Sequence, residues 1–273
     1  MGEVFYNSEF INEEEIVIKI SNRAFNYGDG FFETIKIINA KPFNFSAHYA
    51  RFSFACKVFK LKNNETEKSL LSLINQLIEK NKIVNGSAKI HVNRTGEGKY
   101  LPFSNSVEIL ISINKESGFV KNTPISLCIF SDEQKTNGKV SNIKSVNALV
   151  SVLGAIHAKE NGFDNAILKN TDGNFIETTN SNLFIIKEGI IYTPPLSEGC
   201  VDGTMRKGVL YQVNVIEKPL KLLEVQEADE VFTTNAISGI TPVEVVLIET
   251  TKIYKTDFAQ QLQEKLINLS LDL

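Results

Sequence analysis

The chain is poor in the residue types that build covalent or metal scaffolds: among 273 residues there are only three cysteines and three histidines. Cys56, Cys128 and Cys200 are odd in number, far apart and without close His or Cys companions, which argues against a disulfide framework or a zinc site. They read as buried thiols. His48, His91 and His157 stand apart from any carboxylate or cysteine at ligand spacing, so no metal is expected. Basic excess is missing as well. With 29 Lys and Arg against 32 Asp and Glu, the net charge is -3, and nothing is left to neutralise a phosphate backbone, so nucleic acid is not an expected partner. No apolar run reaches the roughly 20 residues that span a bilayer, and the opening MGEVFYNSEFINEEE has neither a basic n-region nor an apolar h-region. The expectation is a cytoplasmic protein with no membrane partner. A G-x-S-x-G elbow is absent, which removes the serine-triad reading, and GEGK and YGDGFFE are too short and wrongly spaced for nucleotide-phosphate loops.

What is present is ordinary for a soluble enzyme or binding protein: 42% hydrophobic and 22% charged residues, on a length that suits one large domain or two modest ones. EVFYN, EEEIVIKI and TIKIINAKPF alternate at the strand period. Helical spacing follows in SAHYARFSFACKVFKL and from Glu67 to Lys82, and strands return in SAKIHVNRT and VEILISINK. KESGFVKNTP is polar, with Gly and Pro, and reads as a linker. The expected organisation is α+β, with a small N-terminal domain over 1–113, a linker over 114–122 and a larger C-terminal domain over 123–273.

In that second part ISLCIF opens a strand, and a helix from about Val146 to Lys159 carries the apolar stripe Val146, Leu149, Val150, Leu153 and Ile156. NAILKN, NFIET, NLFIIK and IIYTP are short strands divided by Asp172-Gly173 and Glu188-Gly189, both reverse-turn signals. TMRKGVLYQVNV is expected to be helical, EVFTTN, PVEVVLI and TKIY to be strands, and an amphipathic helix to close the chain from about Thr256 to Leu269.

A lysine taken alone is usually a solvated surface cation, but Lys144 in VSNIKSVNALV lies between a strand and an amphipathic helix. A desolvated amine there can attack an aldehyde and then move a proton. Glu177 in NFIETTNSNLF shares a strand face with Phe175; it is either an exposed carboxylate or the partner of a cation such as a protonated pyridine nitrogen. Lys144 and Glu177 are therefore the candidate pair for pyridoxal 5'-phosphate, the first as its Schiff-base lysine and the second at the ring nitrogen. Arg51 in SAHYARF either snorkels or clamps a phosphate with its planar fork. In DGTMRKG the amides of Thr204 and Met205 at a helix N-terminus point at an anion, and TNAISG, with Asn235 and Ala236, completes the cup. Arg94 ends a strand before a Gly-rich turn and is the candidate for a substrate carboxylate.

In order, NRAFNYGDGFFETIK, HYARF, IKSVNAL, NAILKNTDGNFIETTNSNLFIIKEGIIYTPPLSEGCVDGTMR and EVFTTNAISGITPV resemble the class IV aminotransferases, the fold-type IV pyridoxal phosphate enzymes. This family includes branched-chain and D-amino acid aminotransferases and 4-amino-4-deoxychorismate lyases. The resemblance covers nearly the whole chain. It implies a small sandwich domain, a larger pseudobarrel domain and a homodimer with the cofactor between domains. It places Lys144, Glu177, Arg51, Thr204, Met205, Asn235 and Ala236 on the family's cofactor positions. Phe32 stands where D-amino acid aminotransferases carry a tyrosine of the carboxylate trap, and KSVNAL lacks the tyrosine that follows the lysine in branched-chain enzymes. The expected activity is transamination between an amino acid, branched-chain among the candidates, and a 2-oxo acid. The lyase, releasing pyruvate and 4-aminobenzoate, and a cofactor-free binder of small anions are the alternatives.

Overall fold

The computed structural model describes residues 2–248 and 250–271, which divide into two compact units. The first comprises residues up to 118 together with 143–147. Its elements are β1 (Glu3–Tyr6), β2 (Glu9–Asn12), α1 (Arg23–Tyr27), β3 (Gly30–Ile38), β4 (Lys41–Pro42), α2 (Phe45–Val58), α3 (Glu67–Lys80), β5 (Gly86–Arg94) and β6 (Val107–Lys115). The strands form one antiparallel sheet in the order β2-β1-β6-β5-β3-β4. One sheet face is apolar: Phe31, Ile35 and Ile37 of β3, Ala88, Ile90 and Val92 of β5, and Ile109 and Ile111 of β6 pack with Phe52, Leu70, Ile74 and Leu77 of α2 and α3. That face follows from the strand period meeting the helical stripe. Thr66 and Ser69 cap α3 reciprocally.

The second unit comprises 119–142 and the chain from 148 onward. It contains β7 (Ile125–Ile129), α4 (Leu149–Glu160), β8 (Asn165–Lys169), β9 (Phe175–Thr178), β10 (Asn182–Lys187), β11 (Ile190–Thr193), α5 (Thr204–Gln212), β12 (Val215–Glu217), α6 (Leu222–Gln226), β13 (Glu230–Asn235), β14 (Gly239–Leu247), β15 (Thr251–Ile253) and α7 (Asp257–Leu271). Strands β10, β13, β14, β7, β8 and β9 follow one another, and β9 pairs back onto β10 through Asn182 opposite Glu177, closing a ring. This is the barrel-like architecture implied by the resemblance. Gly189 and Gly173, at φ 75° and 79°, occupy left-handed positions in the two tight turns.

Four expectations are corrected. EEEIVIKI is not a strand: Glu13–Glu15 form a short 3-10 turn, and Val17 and Ile20 are 76% and 86% exposed, because the β1–β2 hairpin already supplies that sheet edge. Residues 143–147, expected within the 123–273 domain, pack with the first unit; Ile143 joins its core, Ser145 bridges Phe31, and the Phe32 amide donates to the Lys144 carbonyl at 3.0 Å. The helix expected from Val146 begins at Leu149 and fully buries Gly154 and Ala158; of its apolar stripe Val150 packs against the core, while Leu149, Leu153 and Ile156 stay exposed. A Cβ at Gly154 would stand 2.9 Å from Leu168 Cδ2, so close approach of backbone to β8, not stripe hydrophobicity, decides which face goes inward. The helix expected through TMRKGVLYQVNV stops at Gln212, and Val215 opens β12 alongside β11.

Candidate active site

In the second unit the candidate residues gather around one side chain. Asn182, the first residue of β10, stands opposite Glu177 on one side and Thr234 on the other. Its Nδ2 donates to the Val201 carbonyl at 2.8 Å, and the Val201 amide donates to Glu177 Oε2 at 2.8 Å. Gly203 follows, where a Cβ would lie 1.9 Å from Asn182 Oδ1; only glycine admits this approach. Glu177, the loop ahead of α5 and the end of β13 are thus drawn together by a single asparagine.

Glu177 is buried at 4% exposure, so it is not the exposed strand carboxylate of the alternative reading. Its Oε1 pairs with Lys135 Nζ. The Lys135 backbone is itself fixed, its amide on the Lys169 carbonyl and its carbonyl under the Thr171 amide. These contacts use two of the roughly four acceptor sites of a carboxylate, which leaves capacity for a further N–H donor.

The N-terminus of α5 brings Thr204 and Met205 into buried positions, with Gly203 as N-cap and no side-chain cap. First-turn amides of such a helix are donors for an anion. Arg206, also buried, locks the helix: its Nη2 donates to the Pro194 carbonyl at 2.9 Å and pairs with Glu217. Asn235 shapes the next loop, accepting from the Ile237 and Ser238 amides at 2.9 and 2.7 Å while donating to Ser181 Oγ at 2.8 Å. Ala236 sits at the half-buried crest of that turn. Thr234 Oγ1 is buried without a hydrogen-bond partner. A buried hydroxyl in that state implies a partner the polypeptide does not provide. Within this unit the residues therefore fit a phosphorylated pyridine: a carboxylate with spare acceptor sites, helix amides and an orphaned hydroxyl.

Cys200, next to Val201, is not a nucleophile. Burial, then the Glu177 charge, pushes its thiol up to about 12, and its Sγ lies 3.8 Å from the Pro194 carbonyl. No group of His, Cys, Asp and Glu among the described residues could hold a metal ion.

In the first unit Lys144 Nζ lies 4.5 Å from the ring centroid of Phe32, a cation–π distance. Both are half-buried. Arg51 occupies the opposite, α2-covered side of β3. Its Nε donates to Glu33 Oε1 at 2.7 Å, its Nη2 to Oε2 at 2.6 Å, and His48 Nδ1 is 2.7 Å from the same Oε2. Burial alone would raise the Glu33 pKa, but Arg51 and then His48 outweigh it and hold the carboxyl at about 2; burial keeps His48 below its ordinary value. Arg94 is committed to its own neighbourhood: Nε to Asp29 Oδ2 at 2.9 Å, Nη1 to Asn105, and Nη2 to the Phe59 carbonyl at 2.6 Å. It ties the turn after β5 down beside Asp29, which also receives Arg23 Nε at 2.8 Å.

Nothing in the sequence singles out Glu33, Lys135 or Asn182, and His48 stands there only as a histidine without a ligand-spaced partner. HYARF placed His48 and Arg51 three apart, on one helical face, which is the only signal for their shared carboxylate. Nothing local marks Lys135, whose partner lies 42 positions away.

Residues 30–246 match the family model described as amino-transferase class IV. The D-alanine aminotransferase of Staphylococcus epidermidis is 26% identical over 250 residues, 89% of this chain and 88% of that protein. Among solved structures, the Escherichia coli branched-chain amino acid aminotransferase superposes with a TM-score of 0.89 at 21% identity, over 98% of this chain and 94% of that one. The 4-amino-4-deoxychorismate lyase of Pseudomonas aeruginosa gives 0.83 at 22% identity, over 97% and 98%. At those identities the two structures establish the fold, which is of fold type IV. With the family model spanning most of its length, and with a carboxylate, helix amides and an orphaned hydroxyl gathered about Asn182, the chain belongs to the class IV aminotransferases, which are pyridoxal phosphate enzymes.

Proposed function

We propose that this enzyme transfers an amino group between an amino acid and a 2-oxo acid, with Lys144 as its catalytic amine. The observation that carries this reading is Glu177, a buried carboxylate that accepts from Lys135 and the Val201 amide and keeps acceptor capacity for the pyridine N–H. The cofactor, when bound, supplies an aldehyde and a ring that accepts electron density from the substrate's α-carbon. Every other task falls to the chain. Glu177 holds the ring nitrogen in its protonated form. Thr204 and Met205 amides, Asn235, Ala236 and the Thr234 hydroxyl bind phosphate, and Arg51, oriented by Glu33, is assigned to the same anion. Lys144 Nζ takes the proton from the substrate's α-carbon and returns one to the atom that decides the product. Phe32, beneath that amine, excludes water and shapes the substrate side.

The curated relatives that transaminate support placing transamination ahead of the lyase reaction. The two are separated by incubating the enzyme with 2-oxoglutarate and a panel of L- and D-amino acids, and separately with aminodeoxychorismate. Glutamate formation is expected in the first; release of pyruvate and 4-aminobenzoate in the second, with no glutamate in the first, would reject transamination. We also assign a homodimer. On α4, Leu149, Val152, Leu153 and Ile156 leave an apolar stripe 63%, 50%, 36% and 48% exposed at helical spacing, a face suited to burial against a second copy.

A further inference from the structure

Burial acts first on the Cys200 thiol, and four charged side chains act on it as well: Glu177, Arg206, Lys135 and Asp202. Two of the four have counter-charges of their own, Arg206 in Glu217 and Asp202 in Lys207 at 2.6 Å. Glu177 and Lys135 have each other, and neither forms another ion pair among the described residues. The carboxylate side chain is 6% exposed and its lysine partner 16%. A carboxylate withdrawn so far from water is costly without a counter-charge, and Lys135 is the one this fold provides.

Backbone contacts deliver the lysine to that place. Its amide donates to the Lys169 carbonyl at 2.9 Å, its carbonyl accepts from the Thr171 amide at 3.1 Å, and it bridges Asn170 in parallel register. The next residue is fixed too. The Thr136 carbonyl accepts from Ser141 Oγ at 2.5 Å and lies where a Cβ on Gly199 would come within 2.6 Å, so a glycine, here at φ 91°, lets the loop ahead of Val201 pass this closely. That loop in turn brings the Val201 amide to Glu177 Oε2. One oxygen of Glu177 thus faces a cation and the other a neutral N–H, both set by main chain.

We propose that Lys135 is a positioning residue for the reaction: its charge keeps Glu177 an anion inside the second unit, and through Glu177 it keeps the cofactor's ring nitrogen protonated. This rests on Glu177 receiving that nitrogen. Two effects oppose each other. Lys135 favours a charged Glu177, and therefore a proton on the nitrogen, but its own charge repels a protonated ring. The attraction acts across a direct ion pair and the repulsion across the carboxylate as well, so attraction wins, because Coulomb energy falls with distance. Without Lys135 a buried carboxylate and pyridine favour two neutral groups, with the proton moved from nitrogen to oxygen. A ring without that proton accepts electron density from the substrate's α-carbon less readily.

The test loads the full chain with pyridoxal phosphate isotopically labelled at its ring nitrogen and reads that nitrogen's resonance by solid-state NMR. Wild type and Lys135→Arg are expected to show a protonated nitrogen. Lys135→Met and Lys135→Gln are expected to shift it toward the unprotonated position, with kcat at least about tenfold lower and KM little changed. The glutamine keeps an N–H donor and removes only charge, so it separates the two contributions and stays readable where the methionine variant fails to fold. Glu177→Gln marks the unprotonated end of the scale. A lysine that merely stabilises the fold would lower the melting temperature of Lys135→Met and leave the resonance in place, which overturns the proposal, as does a wild-type resonance in Lys135→Gln. A Glu177→Gln resonance equal to that of wild type would instead reject the placement of the ring nitrogen at Glu177, and with it the reading on which the proposal rests.

Discussion

Arg51 and Glu33 meet side on, two nitrogens of the guanidinium against two oxygens of the carboxylate at 2.7 and 2.6 Å, with His48 2.7 Å from one of those oxygens. A long cationic side chain is thereby reduced to one orientation. The geometry fixes where Arg51 can present its remaining donor chemistry, and it gives the fold a specific acid sensitivity.

Glu33 titrates at about 2 in the folded protein against 4.5 for the free side chain. Its contribution is complete above pH 4.5 and is lost as pH falls from there toward 2, a difference on the order of 3 kcal/mol. His48, held neutral by burial, acts in the same direction from higher pH, because the unfolded chain takes up its proton first. Urea midpoints measured from pH 7 downward are expected to decline below about 6.5 and more steeply below about 4.5. In Glu33→Gln the steeper limb should be absent, and stability at pH 7 should drop by about 3–5 kcal/mol, because Arg51 is left buried without its counter-charge. An unchanged acid limb in that variant would contradict the assignment.

Arg51→Lys keeps a positive charge and loses the fork. Equilibrium titration with pyridoxal phosphate is expected to show affinity at least about tenfold weaker than wild type, and Arg51→Ala weaker still. Equal affinity in all three would remove Arg51 from the phosphate site.

Glu177→Gln preserves shape and can still accept the Val201 amide, but it gives up the charge paired with Lys135. The expected result is a folded, cofactor-binding protein whose kcat falls by roughly 10²–10³. A fall confined to thermal stability, with kcat intact, would mean that Glu177 is a structural partner of Lys135 only.

Gly203→Ala inserts a methyl group 1.9 Å from Asn182 Oδ1. Asn182 must then move, and with it the link from Glu177 to the loop ahead of α5. Loss of about 1–3 kcal/mol of stability together with weakened cofactor binding is the expected pair of effects; stability lost without any change in cofactor affinity would separate Asn182 from the site.

Lys144, Glu177, Arg51 and the Thr204-Met205 turn lie in locally ordered motifs, so the sequence marks them as candidates. Their partners it leaves unmarked. Lys135 and Glu177 meet because the segment after β7 runs beside the end of β8, which itself pairs with β9, and Glu33 reaches Arg51 because α2 lies over β3, relationships set by tertiary packing. Periodicity located β3, β5, β6 and α3 within a few residues. It failed at EEEIVIKI, where alternation had no sheet edge to join, and on α4, where small residues rather than most of the apolar stripe face the barrel. Placement of 143–147 with the first unit depended on a bridge from Ser145 to Phe31, more than a hundred positions away, which no local pattern encodes.

The central claim is that Lys144 carries the cofactor. Borohydride reduction of the loaded protein followed by peptide mapping tests it directly: the phosphopyridoxyl group should be found on Lys144 and be absent from Lys144→Ala. Recovery of that group on Lys135, Lys89 or any other lysine of the wild-type protein would contradict the account.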